Sequence, residues 1–394
     1  MALFAVSLDA AGAAVRSTAA TGPVVKVGIM TPTTSATASN PDTGDALLAA
    51  IAAFNKRGGA GTNHSRIKGI VCDTRGDVNG EVDCARKMVD EGVVATLGDL
   101  TYNNPGGVVD VMEGAQIPRI GLGEAGLPEF GSKVSYPISA GIVGGYVGVA
   151  VGFNKANKKK VALVRTDAPT GASFKGFIAP PFQKAGVDVV GDVALATGST
   201  DYAPYVAQIQ STGATSALLA IDDSVAAQLI AAMSQLNVKI LMGGVPGTFT
   251  VETLRKFKSL TKGTVLADSF PYPSANNAKT FPGLKQYFAD MKASGKDNLQ
   301  PSNLQPSSFS PWLATLAFVN LTKGLDTITK ESVVQALKTV KDVDLAGLAP
   351  PWTPSTPGFS LFSSVSNHFV FVSTFDGKNV VTQKEPIDIS QYLS

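Results

Sequence analysis

Short runs of apolar, mostly β-branched residues alternate along this chain with longer segments in which apolar residues recur at helical spacing. The first strand-like run covers 24–30. The segment after it places Leu47, Ile51 and Phe54 on one helical face before a Gly-Gly pair ends it. The strand-like runs are almost continuously apolar, as expected for parallel strands that helices cover on both faces. The pattern therefore predicts an α/β fold with parallel sheets.

The alternation forms two consecutive series. In the first, further strands are predicted at 66–73, 93–98 and 117–122, and helices at 79–91 and 105–114. In the second, strands are predicted at 160–165, 187–195, 215–221, 238–243 and 263–270, and helices at 142–154, 172–185, 202–212, 224–236 and 250–260. Two series of this length predict two doubly wound, Rossmann-like lobes. Pro180-Pro181 predicts a kink or a break in the helix at 172–185.

After residue 270 the pattern becomes mostly helical and then ends in strands. Helices are predicted at 279–294, 310–325 and 330–340. A strand at 368–375 is followed by Asp376-Gly377 and a second alternating run at 379–382. An Asp-Gly pair between two such runs predicts a β-hairpin.

Composition and charge argue against several functional classes. The 394 residues include 33 Lys and Arg against 31 Asp and Glu, and a net charge of +2 does not suggest binding to a phosphate backbone. Charged residues are 16% of the chain and hydrophobic residues 44%, which favours a buried core over disorder. Two His and two Cys leave little material for a zinc site or a Cys–His nucleophile. We therefore expect no metal, no cofactor and no nucleic-acid partner.

The first 23 residues are small and mostly apolar, but no basic residue begins them and Asp9 interrupts the apolar run. A signal peptide begins with basic residues and continues with an unbroken apolar stretch. Residues 1–23 are therefore interpreted as a signal remnant or a disordered leader. No other stretch is apolar for long enough to predict a transmembrane helix.

Cys72 and Cys84 leave two alternatives open. Cys72 ends an apolar run, and Cys84 lies on the apolar face of the next predicted helix. A disulfide between them would stabilise the fold by about 2–3 kcal/mol on the loop-entropy model and would indicate an oxidising compartment. Otherwise they are two reduced, buried thiols that behave as small hydrophobic groups.

The loops after the predicted strands contain the candidate binding residues, because ligands of open α/β sheets bind beyond the carboxyl ends of the strands. In the first lobe the candidates are Thr33, Thr34, Ser35, Thr101, Tyr102, Gly123 and Glu124. In the second lobe they are Asp167, Thr170, Asp222, Asp223 and Val245. The first set suits a carboxylate or another small polar group, and the carboxylates of the second set suit a cation. Taken singly, each polar residue is also an ordinary helix cap.

Gly121-Leu-Gly-Glu-Ala-Gly126 matches the letters of a dinucleotide fingerprint. That fingerprint follows the first strand and opens a helix directly. Here it follows the fourth predicted strand, and Leu127-Pro128 comes next. A dinucleotide site is therefore not expected.

Several segments, taken together in their order and spacing, resemble one family. They are Val27-Gly-Ile-Met-Thr-Pro32, Asn55-Lys-Arg-Gly-Gly59, Cys72-Asp-Thr-Arg-Gly-Asp77, Cys84-Ala-Arg-Lys-Met-Val89, Gln116-Ile-Pro-Arg-Ile120, Asp201-Tyr-Ala-Pro-Tyr205 and Gly243-Gly244. From Val24 to the C-terminus the chain resembles the type I periplasmic solute-binding proteins of ABC importers, in the branched-chain amino-acid-binding group. Some of these proteins have a disulfide where Cys72 and Cys84 lie.

The resemblance implies two lobes joined by three crossovers, with a ligand cleft between them and hinge closure on the ligand. It implies a first lobe of 24–140 plus 268–365 and a second lobe of 141–267 plus 366–394. The implied protein is an extracytoplasmic monomer that delivers a small solute to a membrane permease of the ABC type, without chemistry.

The resemblance also bears on the ligand. Thr101 matches the usual Ser or Thr after the third strand, but Glu124-Ala125 replaces the usual Thr after the fourth. The usual aromatic positions fall near Pro169 or Thr170 and near Ile221 or Asp222. The acid that receives an ammonium group is absent near Val245-Pro246. Asp222 or Glu124 would have to replace that acid, since a buried ammonium without a carboxylate is costly. The expected ligand is a small polar or amphiphilic solute, such as an organic acid, an amide or an amino-acid derivative.

Two other functions are compatible with the pattern. A ligand-sensing domain of the same fold would pass closure to a signalling partner. An α/β enzyme would use pairs of acids. Asp222 and Asp223 are adjacent in sequence, and the side chains of adjacent residues normally diverge from a shared reacting atom, which argues against such a pair. Both are weaker than the solute-binding hypothesis.

Overall fold

The computed structural model describes residues 19–35, 39–123, 126–167, 174–300, 306–359 and 362–393. Within them, thirteen strands form two sheets. The strands are β1 (Gly22–Thr31), β2 (Ser65–Asp73), β3 (Thr96–Leu97), β4 (Arg119–Ile120), β5 (Ser135–Tyr136), β6 (Lys160–Thr166), β7 (Asp188–Leu195), β8 (Ser216–Ala220), β9 (Leu241–Gly244), β10 (Val265–Asp268), β11 (Phe369–Phe375), β12 (Val380–Thr382) and β13 (Ile387–Asp388).

Helices cover the sheets. They are α1 (Pro41–Lys56), α2 (Val78–Asp90), α3 (Pro105–Ala115), α4 (Leu127–Gly131), α5 (Gly141–Lys155), α6 (Phe174–Lys184), α7 (Ala203–Ser211), α8 (Asp223–Gln235), α9 (Val251–Lys256), α10 (Lys258–Thr261), α11 (Pro282–Lys292), α12 (Phe309–Thr322), α13 (Lys330–Thr339) and α14 (Ser390–Leu393). Short 3₁₀ turns lie at Asn277–Lys279, Asp297–Leu299 and Pro306–Ser308.

The two sheets repeat one strand order. The first runs β2-β1-β3-β4-β5 with every pair parallel. The second contains β7-β6-β8-β9-β10 in the same parallel arrangement and then adds β11 and β12 antiparallel, with β13 paired to β11. In each sheet the order reverses beside the first strand of its series, which is where doubly wound folds bind ligands. The predicted fold class, two doubly wound lobes, is confirmed.

The chain crosses between the lobes three times: after β5, after β10 and before β11. At the second crossing, Ser269 Oγ accepts a hydrogen bond of 2.6 Å from the backbone amide of Ala140 on the first crossing. At the third, Asn367 Nδ2 donates to the carbonyl of Ile138 at 2.6 Å. The implied hinge of three crossovers is therefore present and is joined by buried hydrogen bonds. The exact lobe limits at 140, 268 and 366 stay a prediction.

Helix α5 lies unusually close to the second sheet because glycines face β10 and β11. A Cβ atom added at Gly148 would lie 2.7 Å from Ala267 Cβ, and one at Gly152 would lie 2.5 Å from Val265 Cγ1. Both distances are shorter than any ordinary carbon contact, so only glycine permits this approach. The close packing fixes the N-terminus of α5 beside the end of β10.

The cysteines form a disulfide. Cys72 on β2 and Cys84 on α2 are bonded, with Cα atoms 5.6 Å apart, and both side chains are buried. Of the two alternatives from the sequence, the reduced pair is therefore wrong. The disulfide fixes α2 against the edge strand of the first sheet.

Three local expectations can be compared with the structure. The hairpin at Asp376-Gly377 is confirmed, since β11 and β12 pair antiparallel around it. The predicted helix 250–260 is two short helices that meet at Phe257. Of the kink or break predicted at Pro180-Pro181, the break is wrong, because α6 continues through both prolines, whereas the kink stays a prediction. Because proline has no backbone N–H, the carbonyls of Gly176 and Phe177, four residues earlier, accept no helical hydrogen bond from Pro180 and Pro181. Both residues are exposed, so water can bind these carbonyls instead.

Candidate functional site

A cavity of about 650 Å³ lies between the lobes, at the carboxyl ends of strands from both sheets. The first lobe lines it with the loops after β1, β3 and β4 and with the start of α12. The second lobe lines it with the N-terminus of α5 and the loop after β9. Residues of the first and second crossings complete the wall, notably Ser139 and Asp268. The position agrees with the rule for open α/β sheets.

The wall combines apolar side chains with several polar ones. The apolar lining residues other than glycine are Pro41, Leu100, Leu122, Ile138, Ile142, Val245, Pro246, Phe270, Phe309 and Leu313. The polar lining residues are Ser39, Asn40, Tyr102, Ser139, Asp268, Ser307 and Ser310. Such a wall can enclose an apolar body and orient one or two polar groups.

Asp268 is the acidic residue of the cavity wall. It ends β10, where the chain leaves the second sheet, and its Oδ1 accepts a hydrogen bond of 2.7 Å from the amide of Ser269. Among the described residues, no partner contacts Oδ2. Burial raises the pKa of Asp268 from its usual 3.8 to about 6, and the Ser269 hydrogen bond only partly opposes this.

Tyr102 lies on the cavity wall, and a buried carboxylate holds its backbone. Glu81 is fully buried and accepts hydrogen bonds from the amides of Tyr102, Asn103 and Asn104 at 2.6 to 3.2 Å. Tyr102 as a whole residue is 43% exposed. The surrounding walls desolvate its phenol, and together with the charges of Glu129 and Glu81 they raise its pKa to about 12. The phenol is therefore a hydrogen-bond donor over the whole physiological pH range.

Thr101 belongs to a buried ionic network beneath the cavity rather than to its wall. Arg119 Nε contacts Asp99 Oδ2 at 3.0 Å, and its Nη1 contacts Glu129 Oε1 at 2.9 Å. Thr101 Oγ1 accepts from Arg119 Nη2 and donates to Glu129 Oε1, both at 2.9 Å. Burial opposes the charge on Arg119, but Asp99 and Glu129 outweigh it and raise the pKa of the guanidinium. The network holds β3, β4 and α4 together under the site.

The turn after β1 contains Thr33, Thr34 and Ser35, and the contacts described for these residues stabilise the turn itself. The carboxylate of Asp73 accepts from the amides of Thr33 and Thr34 and, at 2.5 Å, from Thr34 Oγ1. Burial alone would raise the pKa of Asp73, but these bonds and one from the Arg75 amide lower it. Ser35 is buried against Gly76. These contacts fix the turn after β1, and Ser39 and Asn40 beyond it reach the cavity wall.

The acids predicted in the second lobe lie outside the cavity wall that the described residues form. Asp222 caps α8, with Oδ1 accepting from the Val225 amide at 3.0 Å. Asp223 accepts from the Thr250 amide at 2.6 Å and so links α8 to the start of α9. Asp167 is exposed after β6. A role of these acids toward a ligand stays a prediction.

Three predicted residues line the cavity: Tyr102, Gly123 and Val245. Glu124 and Thr170 lie outside the described residues. Asp268 was missed, because the predicted strand 263–270 treats it as a strand interior. A carboxylate that directly follows the apolar run Val265–Ala267 is the signal that marks the carboxyl end of a strand, where binding groups are expected.

The described residues provide neither a metal-binding cluster nor a membrane-spanning helix. No group of three or more His, Cys, Asp or Glu side chains is placed to hold a metal ion. No helix in the described part of the chain is both long and apolar enough to cross a membrane.

The fold is shared with solved structures of low sequence identity. The Brucella ovis leucine-, isoleucine-, valine-, threonine- and alanine-binding protein, in its closed conformation, matches with a TM-score of 0.73 at 16% identity and covers 95% of this chain and 97% of its own. A solute-binding protein of an ABC transporter from R. palustris, in complex with 4-hydroxybenzoate, matches at 0.70 and 16%, covering 93% and 97%. A branched-chain amino acid ABC transporter periplasmic ligand-binding protein from Burkholderia xenovorans LB400 matches at 0.73 and 16%, covering 94% and 96%.

No curated protein matches the chain by sequence. A family model described as "Periplasmic binding protein" matches residues 24–357, which is most of the chain. The match agrees with the two doubly wound lobes, the three crossings and the cavity between them. The chain therefore belongs to the periplasmic binding protein family, whose members bind solutes rather than catalyse reactions.

Proposed function

We propose that this protein is the solute-binding component of an ABC importer, and that it captures a small amphiphilic solute between its lobes and delivers it to a membrane permease. The observation that carries the proposal is the cavity of about 650 Å³, whose wall combines residues of both lobes and of two crossings. A solute that fills it contacts both lobes at once and therefore favours their closed arrangement.

The wall chemistry supports an amphiphilic solute. Ile142 on α5, Val245 after β9 and Leu313 on α12 supply apolar surface from three sides. Tyr102 and Asp268 supply polar groups at two places on the wall. An apolar body with one polar group fits this distribution, since most ligand pockets combine an apolar lining with a few orienting polar groups.

The transport role is supported by the family and by the names of similar structures. The Burkholderia xenovorans protein is named as part of an ABC transporter, and the R. palustris protein holds 4-hydroxybenzoate, a small molecule with an apolar ring and polar ends. The disulfide between Cys72 and Cys84 supports a location outside the cytoplasm, because structural disulfides persist in oxidising compartments. We expect the protein to act there as a monomer.

Binding and closure can be tested with a cavity-filling variant. Ile142 lines the cavity, yet its side chain is 47% exposed, so Ile142→Trp fills the cleft without disturbing the core. Leu236→Trp is the matched control, because Leu236 is 48% exposed at the end of α8. Native mass spectrometry of freshly purified protein identifies a retained solute, and small-angle X-ray scattering with that solute measures closure.

We expect the wild type and Leu236→Trp to retain the solute and to become more compact when it is added. Ile142→Trp should lose both properties while unfolding at the same temperature as the wild type. Binding that is unchanged by Ile142→Trp would place the solute elsewhere, and catalytic turnover of the solute would overturn the proposal.

A further inference from the structure

We propose that Asp268 selects the charge of the solute, and that the solute is an organic amine with an apolar body, bound with its protonated nitrogen against Asp268. This inference rests on the proposed function, because it assigns the ligand class of the same cavity. It differs from the sequence-based expectation, which looked for the acid at Asp222 or Glu124.

The position of Asp268 supports a direct role. The residue ends β10 and lines the cavity, with Oδ1 bonded to the Ser269 amide. Oδ2 has no hydrogen-bond partner among the described residues, and Asp268 is partly buried on the cavity wall. A carboxylate on the cavity wall with one oxygen not bonded to the protein can accept a further hydrogen bond, and a ligand that donates to this oxygen compensates for the water that it displaces.

The charged side chain that the described residues contribute to the cavity wall is acidic. Among the described residues that line it, Asp268 is the only charged side chain. The internal segments outside the described residues, 36–38, 124–125, 168–173, 301–305 and 360–361, contain no Lys, Arg or His, and one of them contains Glu124. No basic side chain of either group is available to pair with an anionic solute. A cationic solute gains an ion pair, whereas a carboxylate would lie near an acid in surroundings of low dielectric.

The apolar side chains near Asp268 favour an apolar body for the rest of the solute. Phe270 and Val245 line the cavity on the chain segments that neighbour Asp268, and Ile142 lines it from α5. Desolvation by the surrounding walls raises the pKa of Asp268 to about 6, so a cation that pairs with the carboxylate would favour its charged form. An apolar body completes the exclusion of water and strengthens the pairing between ammonium and carboxylate.

The experiment uses a matched set of small molecules and the full-length protein. Butyl, cyclohexylmethyl and phenylethyl bodies each carry an ammonium, a hydroxyl or a carboxylate group, and calorimetry measures their affinities at about pH 7.5, well above the Asp268 pKa. Asp268→Asn keeps the shape and the Ser269 hydrogen bond. Asp110→Asn removes a charge from the exposed face of α3 and serves as the control.

We expect at least one body to bind as the amine about tenfold or more tightly than as the alcohol or the carboxylate, which corresponds to one charge-assisted hydrogen bond. Asp268→Asn should lower that affinity about ten- to hundredfold, and Asp110→Asn should leave it unchanged. A preference for carboxylates or alcohols, or amine binding that ignores Asp268→Asn, overturns the inference but leaves the proposed function standing. Absence of binding by every class, together with no retained solute in native mass spectrometry, contradicts both.

Discussion

Ser269 accepts a hydrogen bond of 2.6 Å on its Oγ from the backbone amide of Ala140, and both residues are buried. The bond joins the first crossing between the lobes to the second, directly beside Asp268. With the bond from Asn367 to Ile138, it links all three crossings. The hinge is therefore a hydrogen-bonded unit rather than three independent linkers.

Ser269→Ala should destabilise the protein by about 1–3 kcal/mol, because the buried Ala140 amide would lose its acceptor. Urea unfolding followed by far-UV circular dichroism measures this loss. Ser211→Ala is the control: its hydroxyl bonds a carbonyl at the exposed end of α7, where water can replace it. Equal stabilities for the two variants would show that the bond between the crossings contributes nothing.

Asp268→Asn should stabilise the ligand-free protein at neutral pH. The folded-state pKa of Asp268, about 6, lies above its usual 3.8, so the wild type loses stability as pH rises between these values. The asparagine variant lacks this loss, and above about pH 7 it should be more stable by up to about 3 kcal/mol. Thermal unfolding at about pH 4 and pH 8 measures the difference.

The groups around Asp268 support this pH dependence. The neighbouring strands β9 and β11 contain no titratable side chain. The titratable residues of α5 are Tyr146 and Lys155, and neither of them shifts the pKa of Asp268. The stability gain should therefore be near zero at low pH, where the wild-type carboxyl is neutral. A gain that is equal at both pH values would mean that ionisation of Asp268 is not its cause.

Arg119→Met should cost about 3–5 kcal/mol, because Asp99 and Glu129 would remain buried without their common partner. Arg86→Met is the comparison, since the pair of Arg86 with Asp83 is well exposed and such pairs contribute about 0–1 kcal/mol. Denaturant titration of both variants separates the two cases. Similar small losses would show that the buried network is not required for the first lobe.

Removal of the disulfide by Cys72→Ser with Cys84→Ser should lower the free energy of unfolding by about 2–3 kcal/mol, because the bond closes a loop with a sequence separation of 12. A reducing agent should lower the stability of the wild type by a similar amount. The double variant should not respond to the reducing agent. A response in that variant would mean that reduction acts on something other than this bond.

The fold could be predicted well because parallel strands covered on both faces are apolar throughout. The boundaries were less accurate where apolar residues continue past the hydrogen-bonded ladder. Val93 and Ile117 are buried core residues that approach the sheet, whereas the strands there extend only over Thr96–Leu97 and Arg119–Ile120. Strand β5 was missed, since two residues, Ser135 and Tyr136, show no periodic pattern.

The candidate site was predicted less completely than the fold. Tyr102, Gly123 and Val245 were found because they follow strands, and position after a strand is visible in the sequence. Whether such a residue caps a helix, as Asp222 does, or faces the cavity depends on the relative position of the two lobes. To predict Asp268 as a site residue, the end of β10 must be known, and the apolar pattern does not show where that strand ends.

The cavity lies next to the pivot, since its wall includes Ser139 of the first crossing and Asp268 of the second. When two lobes rotate about a hinge, a ligand bound close to the hinge changes the angle between the lobes more than the same ligand bound far from it. A slightly longer solute would therefore separate the outer edges of the lobes by much more than its own increase in length. A partner protein that contacts both outer edges would therefore be sensitive to small differences in the length of the bound solute.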